Sequence, residues 1–236
     1  NTLQQPSLDL GRWQHDAAAD TLSSLRLGIY REWFNHAEPE IVARCEAMLH
    51  ELAARGAQIR EFEIPEMDEL RLAHGVTILS EMAASMANYP DHWNDLSAAT
   101  RISLTLGKSV TSVDYLQAQR MRTRAMARFT EIFDSVDLVV SPATAMVAPS
   151  IPAQSLSHGV ADMNVVAELM RFVVPANMTG LPAISLPVGY SGAGLPIGMQ
   201  LMGRPWEESL LLTVARAIER LAGRQLPGGY CALLAR

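Results

Sequence analysis

The sequence predicts an α/β fold, part of a large mixed β-sheet with helices on both faces. Three observations carry this expectation. Residues 25–64 read as strand, helix, strand, a β-α-β unit of the kind that builds a parallel sheet covered by helices. Residues 183–188 and 197–202 are short apolar runs bounded by Gly and Pro, which read as buried strands. The link between them, Gly189-Tyr-Ser-Gly-Ala-Gly194, is dense in turn formers and returns one run on the other as an antiparallel hairpin.

Residues 1–24 are polar without sustained periodicity and read as a segment leading into the fold. Residues 25–30 alternate as a strand. Glu38-Pro39-Glu40 then opens a helix, with Pro in the first turn and acids at the positive end of the dipole. Ile41, Cys45, Met48, Leu49 and Leu52 form its apolar face at helical spacing, and Gly56 stops it before a strand over 57–64. A helix over 67–87, a polar loop over 88–94 and a short helix over 96–106 follow.

Ser112 or Asp114 begins a long helix to residue 133. Residues 137–141 are a buried strand ending at Pro142, and a Pro-rich loop runs to Gly159. Asp162 caps a helix expected to reach Val174 and to be limited by Pro175. After the hairpin a final amphipathic helix presents Leu210, Leu211, Val214, Ile218 and Leu221, and residues 223–236 form a weakly patterned tail.

The 236 residues, half of them apolar, can bury a sizeable core. A net charge of −6 argues against a nucleic-acid partner, which calls for a basic face. Cys45 and Cys231 stand far apart without a C-x-x-C spacing, as expected of a reducing compartment rather than a disulfide framework. No apolar run approaches the length of a spanning helix. The expected location is cytoplasmic or peripheral to a membrane. Arg120, Arg124 and Arg128 make a basic stripe that suits either solvent or an anionic membrane surface.

Residues 177–203 hold six glycines and three prolines. They spell Asn-x-x-Gly-x-Pro-Ala-x-Ser-x-Pro-x-Gly, then Gly-Leu-Pro-x-Gly-x-Gln-x-x-Gly-Arg-Pro to residue 205. This text resembles the C-terminal half of amidase-signature hydrolases. With Leu25-Arg-Leu-Gly-Ile-Tyr-Arg-Glu-Trp-Phe-Asn35, Ser141-Pro-Ala-Thr144 and Leu169-Met-Arg-Phe172, it most resembles the plant-type fatty acid amide hydrolase branch. The similarity covers about residues 25–222.

The resemblance implies a serine amide hydrolase that acts on lipid amides of the N-acylethanolamine type, with no cofactor or metal. The family's catalytic Lys, cis-peptide Ser and nucleophilic Ser belong to a Gly/Ser-rich signature. This chain has no such run: Ser23-Ser24 is its only serine pair, and Lys108, its only lysine, lies in an unmatched setting. No catalytic residue is therefore expected in this chain. The catalytic half is expected in a missing N-terminal portion or a partner chain; a homodimer is also compatible. His15, His36, His50, His74, His92 and His158 show no metal-ligand spacing and read as surface or hydrogen-bonded structural residues.

What remains for this chain is a wall of the substrate pocket, expected from three places. They are the loop after the third strand with Thr144 and Met146, the helix face with Met170, Val173, Val174 and Asn177, and the hairpin with Gln200. Twelve methionines suit an irregular apolar surface such as a flexible acyl chain needs, although simple core filling explains most of them. By resemblance, the tRNA-linked amidotransferase branch presents an acidic residue where this chain has Met170, and a carboxylate-binding Arg at the place of Arg101. A thioether in place of the acid points to a neutral, apolar amide and leaves Arg101 a structural role first. Two expectations compete with this one: a non-catalytic lobe or subunit that needs a partner chain, and general short-chain or aryl amide hydrolysis.

Overall fold

The computed structural model describes residues 22–153, 162–223 and 225. The leading segment before residue 22, the middle of the Pro-rich loop, nearly all of the tail, His15, His158 and Cys231 lie outside the described residues. One five-stranded sheet organises the rest, in the order β2-β1-β3-β5-β4. Its strands are β1 (Arg26–Ile29), β2 (Gln58–Glu61), β3 (Leu138–Pro142), β4 (Ala183–Tyr190) and β5 (Pro196–Met202). β1 is parallel to both β2 and β3, while β5 runs antiparallel to β3 and to β4. The parallel half and the hairpin half are both as the sequence predicts, so the sheet is mixed.

The strand period divides the core into two layers. Leu138 and Val140 point to one face with Ile197, Met199 and Leu201, where α2 (Pro39–Ala54), which follows the one-turn helix α1 (Arg31–Phe34), and α8 (Glu208–Ala222) cover them. Pro39 stands in the first turn of α2, and the five apolar residues picked out by spacing are its buried stripe. Val139 and Met202 point to the opposite face, which packs against α3 (Met67–Met86) and α5 (Ser112–Ser135). A capping box starts α5: Asp114 N–H donates to Thr111 Oγ1 at 3.2 Å, and Thr111 N–H donates to Asp114 Oδ2 at 2.9 Å. One residue of β3 thus serves one layer and its neighbour the other.

Three local outcomes differ from expectation. The polar loop after α3 contains a 3-10 turn (Pro90–Asp95), and the next helix, α4 (Ala98–Ser109), begins later because Ser97 accepts the Thr100 N–H as its cap. The helix expected over 162–174 is instead α6 (Met163–Leu169), a 3-10 turn (Arg171–Val173) and α7 (Val174–Thr179). Pro175 does not end a helix there but sits in the first turn of α7, where its missing N–H has no partner to lose. Gly180, at φ 74°, closes α7 in the left-handed conformation that a side chain disfavours.

Asp137 ties the middle of the sheet together. Arg26 donates to its carboxylate from the backbone N at 2.8 Å and from Nη2 at 2.6 Å, and the Arg204 guanidinium lies 3.9 Å away. Partial burial raises the Asp137 carboxyl, but the bonds from Arg26 and the charges of Arg26 and Arg204 outweigh it and hold the group below the usual carboxylate range.

Candidate substrate pocket

An apolar cavity of about 360 Å³ lies between α3, α4 and the α6–α7 segment. That is within the size range of small-molecule sites. α3 supplies Leu72, Ile78, Leu79 and Met82 to it, and the α6–α7 segment supplies Val166, Met170 and Val174. Ser103 reaches it from α4. Asp162 fixes the start of α6, its Oδ1 accepting from the N–H groups of Asn164 at 2.9 Å and Val165 at 3.2 Å. The Met170 N–H closes the same helix on Val166 O at 3.0 Å. The backbone that carries the pocket wall is therefore held at both ends.

Apolar side chains also line the rim. Leu72 is 72% exposed, and Met163 and Val166 are exposed beside it. His74 is 4% exposed, and its Nε2 lies 3.2 Å from Asn177 Nδ2. Burial lowers its pKa, so it is neutral at pH 7. At the mouth, Arg71 and Arg171 both stack on Trp33, with guanidinium carbons 5.6 and 5.3 Å from the ring centroid. Glu168 accepts from Arg171 Nε at 2.8 Å and Nη2 at 2.5 Å. That bonding, aided by the charge of Arg71 and against some burial, holds its carboxyl below the usual range. The cavity is thus apolar within and ion-paired near its edge.

The expected pocket residues do not all converge. Met170 and Val174 line this cavity, while Val173 is half-buried and not part of its lining. Asn177 is exposed and reaches the site through His74. Thr144 Oγ1 donates to Met146 O at 2.8 Å, shaping the loop after β3. Ala145 between them is stitched to Glu168 and Glu38 through its backbone. Neither Thr144 nor Met146 lines the cavity.

Gln200 is 5% exposed and donates to Phe172 O at 2.9 Å, so it pins the 3-10 turn to the sheet. The void beside it, about 20 Å³, holds little more than one water. Arg101 lies in a separate open depression with Trp93, Ile102 and Leu106. Sequence reasoning missed the α3 wall. Its signal was there: Leu72, Ile78, Leu79 and Met82 form a second apolar stripe beside the core stripe of Met67, Leu70 and Ala73.

Lys108 Nζ stands 4.9 Å from the Trp93 ring centroid. Burial pushes the Cys45 thiol up to about 12, which leaves it protonated and inert. Among the described residues no group of three His, Cys, Asp or Glu side chains is placed to hold a metal ion, and no helix is long and apolar enough to cross a membrane. The basic stripe on α5 is exposed, with Arg124 3.2 Å from Glu66 and Arg128 3.0 Å from Glu131.

This mixed sheet with its two helical layers is the fold of amidase-signature enzymes, and the chain belongs to the amidase family: the family described as Amidase matches residues 4–212. A fatty acid amide hydrolase of Medicago truncatula is 49% identical over 88% of this chain and 35% of its own length. That of Arabidopsis thaliana is 42% identical over 86% of this chain and 34% of its own. The chain therefore spans about a third of the length of these relatives. A solved bacterial aryl acylamidase of the amidase-signature enzymes shares the fold, with a TM-score of 0.72 and 20% identity over 94% of this chain and 49% of that one.

Proposed function

We propose that this chain forms the acyl-binding part of an amide hydrolase whose substrates are fatty acid amides of the N-acylethanolamine type. The observation that carries the reading is the 360 Å³ apolar cavity with Met170 in its wall. A carboxylate at that position would favour a charged substrate end; a thioether beside Val166, Val174 and Leu79 favours methylenes. The identity to plant fatty acid amide hydrolases supports the same substrate class. Short-chain and aryl amides would leave most of such a cavity unfilled.

The reacting groups are proposed to come from outside these residues. By family resemblance, a serine attacks the amide carbonyl, and its proton passes by way of the cis-peptide serine and the lysine to the leaving amine. The C–N bond breaks, leaving an acyl-enzyme ester that water hydrolyses to the fatty acid. β4 is an edge strand, and Ala183, Ser185 and Pro187 along it are exposed. That strip suits contact with the portion or partner chain that carries the serines.

Photolabelling tests where the acyl chain goes. A long-chain N-acylethanolamine with a diazirine at the chain end should label peptides from residues 71–82 or 163–174, and unlabelled substrate should suppress the label. Competable labelling confined to the Arg101 depression would refute the assignment.

A further inference from the structure

Gly75 stands in the interior of α3, where glycine is among the poorest helix formers. Two structural needs ordinarily explain such a residue: a left-handed backbone or a close approach of another chain segment. Neither applies. Gly75 is not among the glycines with positive φ, and a Cβ built on it would meet nothing within 4 Å. Gly107 on the facing helix α4 is the contrast, since a Cβ there would lie 2.1 Å from Leu79 O. Gly107 is demanded by packing; Gly75 is not.

The free space at Gly75 is the cavity itself. Gly75 lines it one turn from both Leu72 and Leu79, facing the wall that carries Met170 and Val174. Any side chain at this position enters the volume that an acyl chain would fill. We infer that Gly75 is the specificity-determining residue for acyl-chain length, keeping the cavity deep enough for a long aliphatic tail. Residue size at 75 then sets how much tail is accepted, while the fold is indifferent to it. The inference rests on the reading that the acyl chain occupies this cavity.

The test is a series, Gly75→Ala, Gly75→Leu and Gly75→Phe, in the full 236-residue chain, titrated with cis-parinaric acid, a fluorescent long-chain polyene. Melting temperatures are recorded alongside, and oleoyl and decanoyl ethanolamide serve as competitors. Wild type should bind saturably and prefer the oleoyl competitor. Gly75→Ala, larger by one methyl group, should weaken the probe about threefold. Gly75→Leu and Gly75→Phe should weaken the probe at least about tenfold, the equivalent of about two methylenes left unburied.

The preference for oleoyl over decanoyl should shrink in those two variants, with melting temperatures held or raised. Long-chain binding by Gly75→Leu equal to wild type, at unchanged melting temperature, overturns the role of Gly75 alone. Failure of folded wild type to bind the probe overturns the functional reading first, and the inference with it.

Discussion

Met170→Asp is expected to weaken long-chain acyl amides about a hundredfold while leaving short-chain amides little changed. The side chain lines the apolar cavity at the end of α6, beside Val166 and Val174. A carboxylate facing a methylene tail there loses water without gaining a partner, at a cost of roughly 2–3 kcal/mol. Arg71 lines the same cavity, but it already shares Glu168 at 3.7 Å and Asp68 at 3.7 Å. Competition binding with long and short acyl amides reads the effect, and Met170→Leu should retain wild-type behaviour. Equal loss on both chain lengths would mean that the helix supports the fold and nothing more.

Gly107→Ala should have the largest effect on stability. Its new Cβ would lie 2.1 Å from Leu79 O, 2.8 Å from Leu79 C and 3.0 Å from Ala83 Cβ. Two of those atoms are backbone, so no rotamer change relieves the overlap, and α4 has to move off α3. Overpacking of that kind costs about 3 kcal/mol. Urea unfolding should show the midpoint fall, whereas Gly75→Ala, one helix away, should leave it level or raise it because alanine is the better helix former. If the two alanines shift the midpoint alike, the contrast between a packed glycine and an open one is wrong.

Much of the fold was legible because single periods decide it. The helical spacing of Ile41, Cys45, Met48, Leu49 and Leu52 leaves one way to bury α2, and that stripe is the buried one. The Gly- and Pro-bounded runs of the hairpin pair as expected, Ala183 opposite Met202 through Leu186 opposite Met199. Local rules failed where they have two outcomes. Pro175 is compatible with the end of one helix or the first turn of the next, and the turn at Met170 selects the second.

The candidate cavity was legible only from one side. Met170 and Val174 follow from the helix before the Gly-Leu-Pro loop, and both reach the cavity. Gln200 was expected beside them, yet strand alternation turns it under the 3-10 turn, where the Phe172 carbonyl takes its amide N–H. No sequence period says that a carbonyl waits there. The α3 wall is not legible in the sequence because Leu72, Ile78, Leu79 and Met82 carry the same apolar signal as core, and only the structure shows the open space they line beside Gly75.

The most direct measurement is hydrolysis of a long-chain N-acylethanolamine by the purified 236-residue chain, alone and co-expressed with an amidase half bearing the Gly/Ser-rich signature. No amine release is expected from the chain alone, and release is expected when that half is present. Turnover by the chain alone, lost on an active-site substitution within residues 1–236, would contradict the assignment of the reacting groups to another portion.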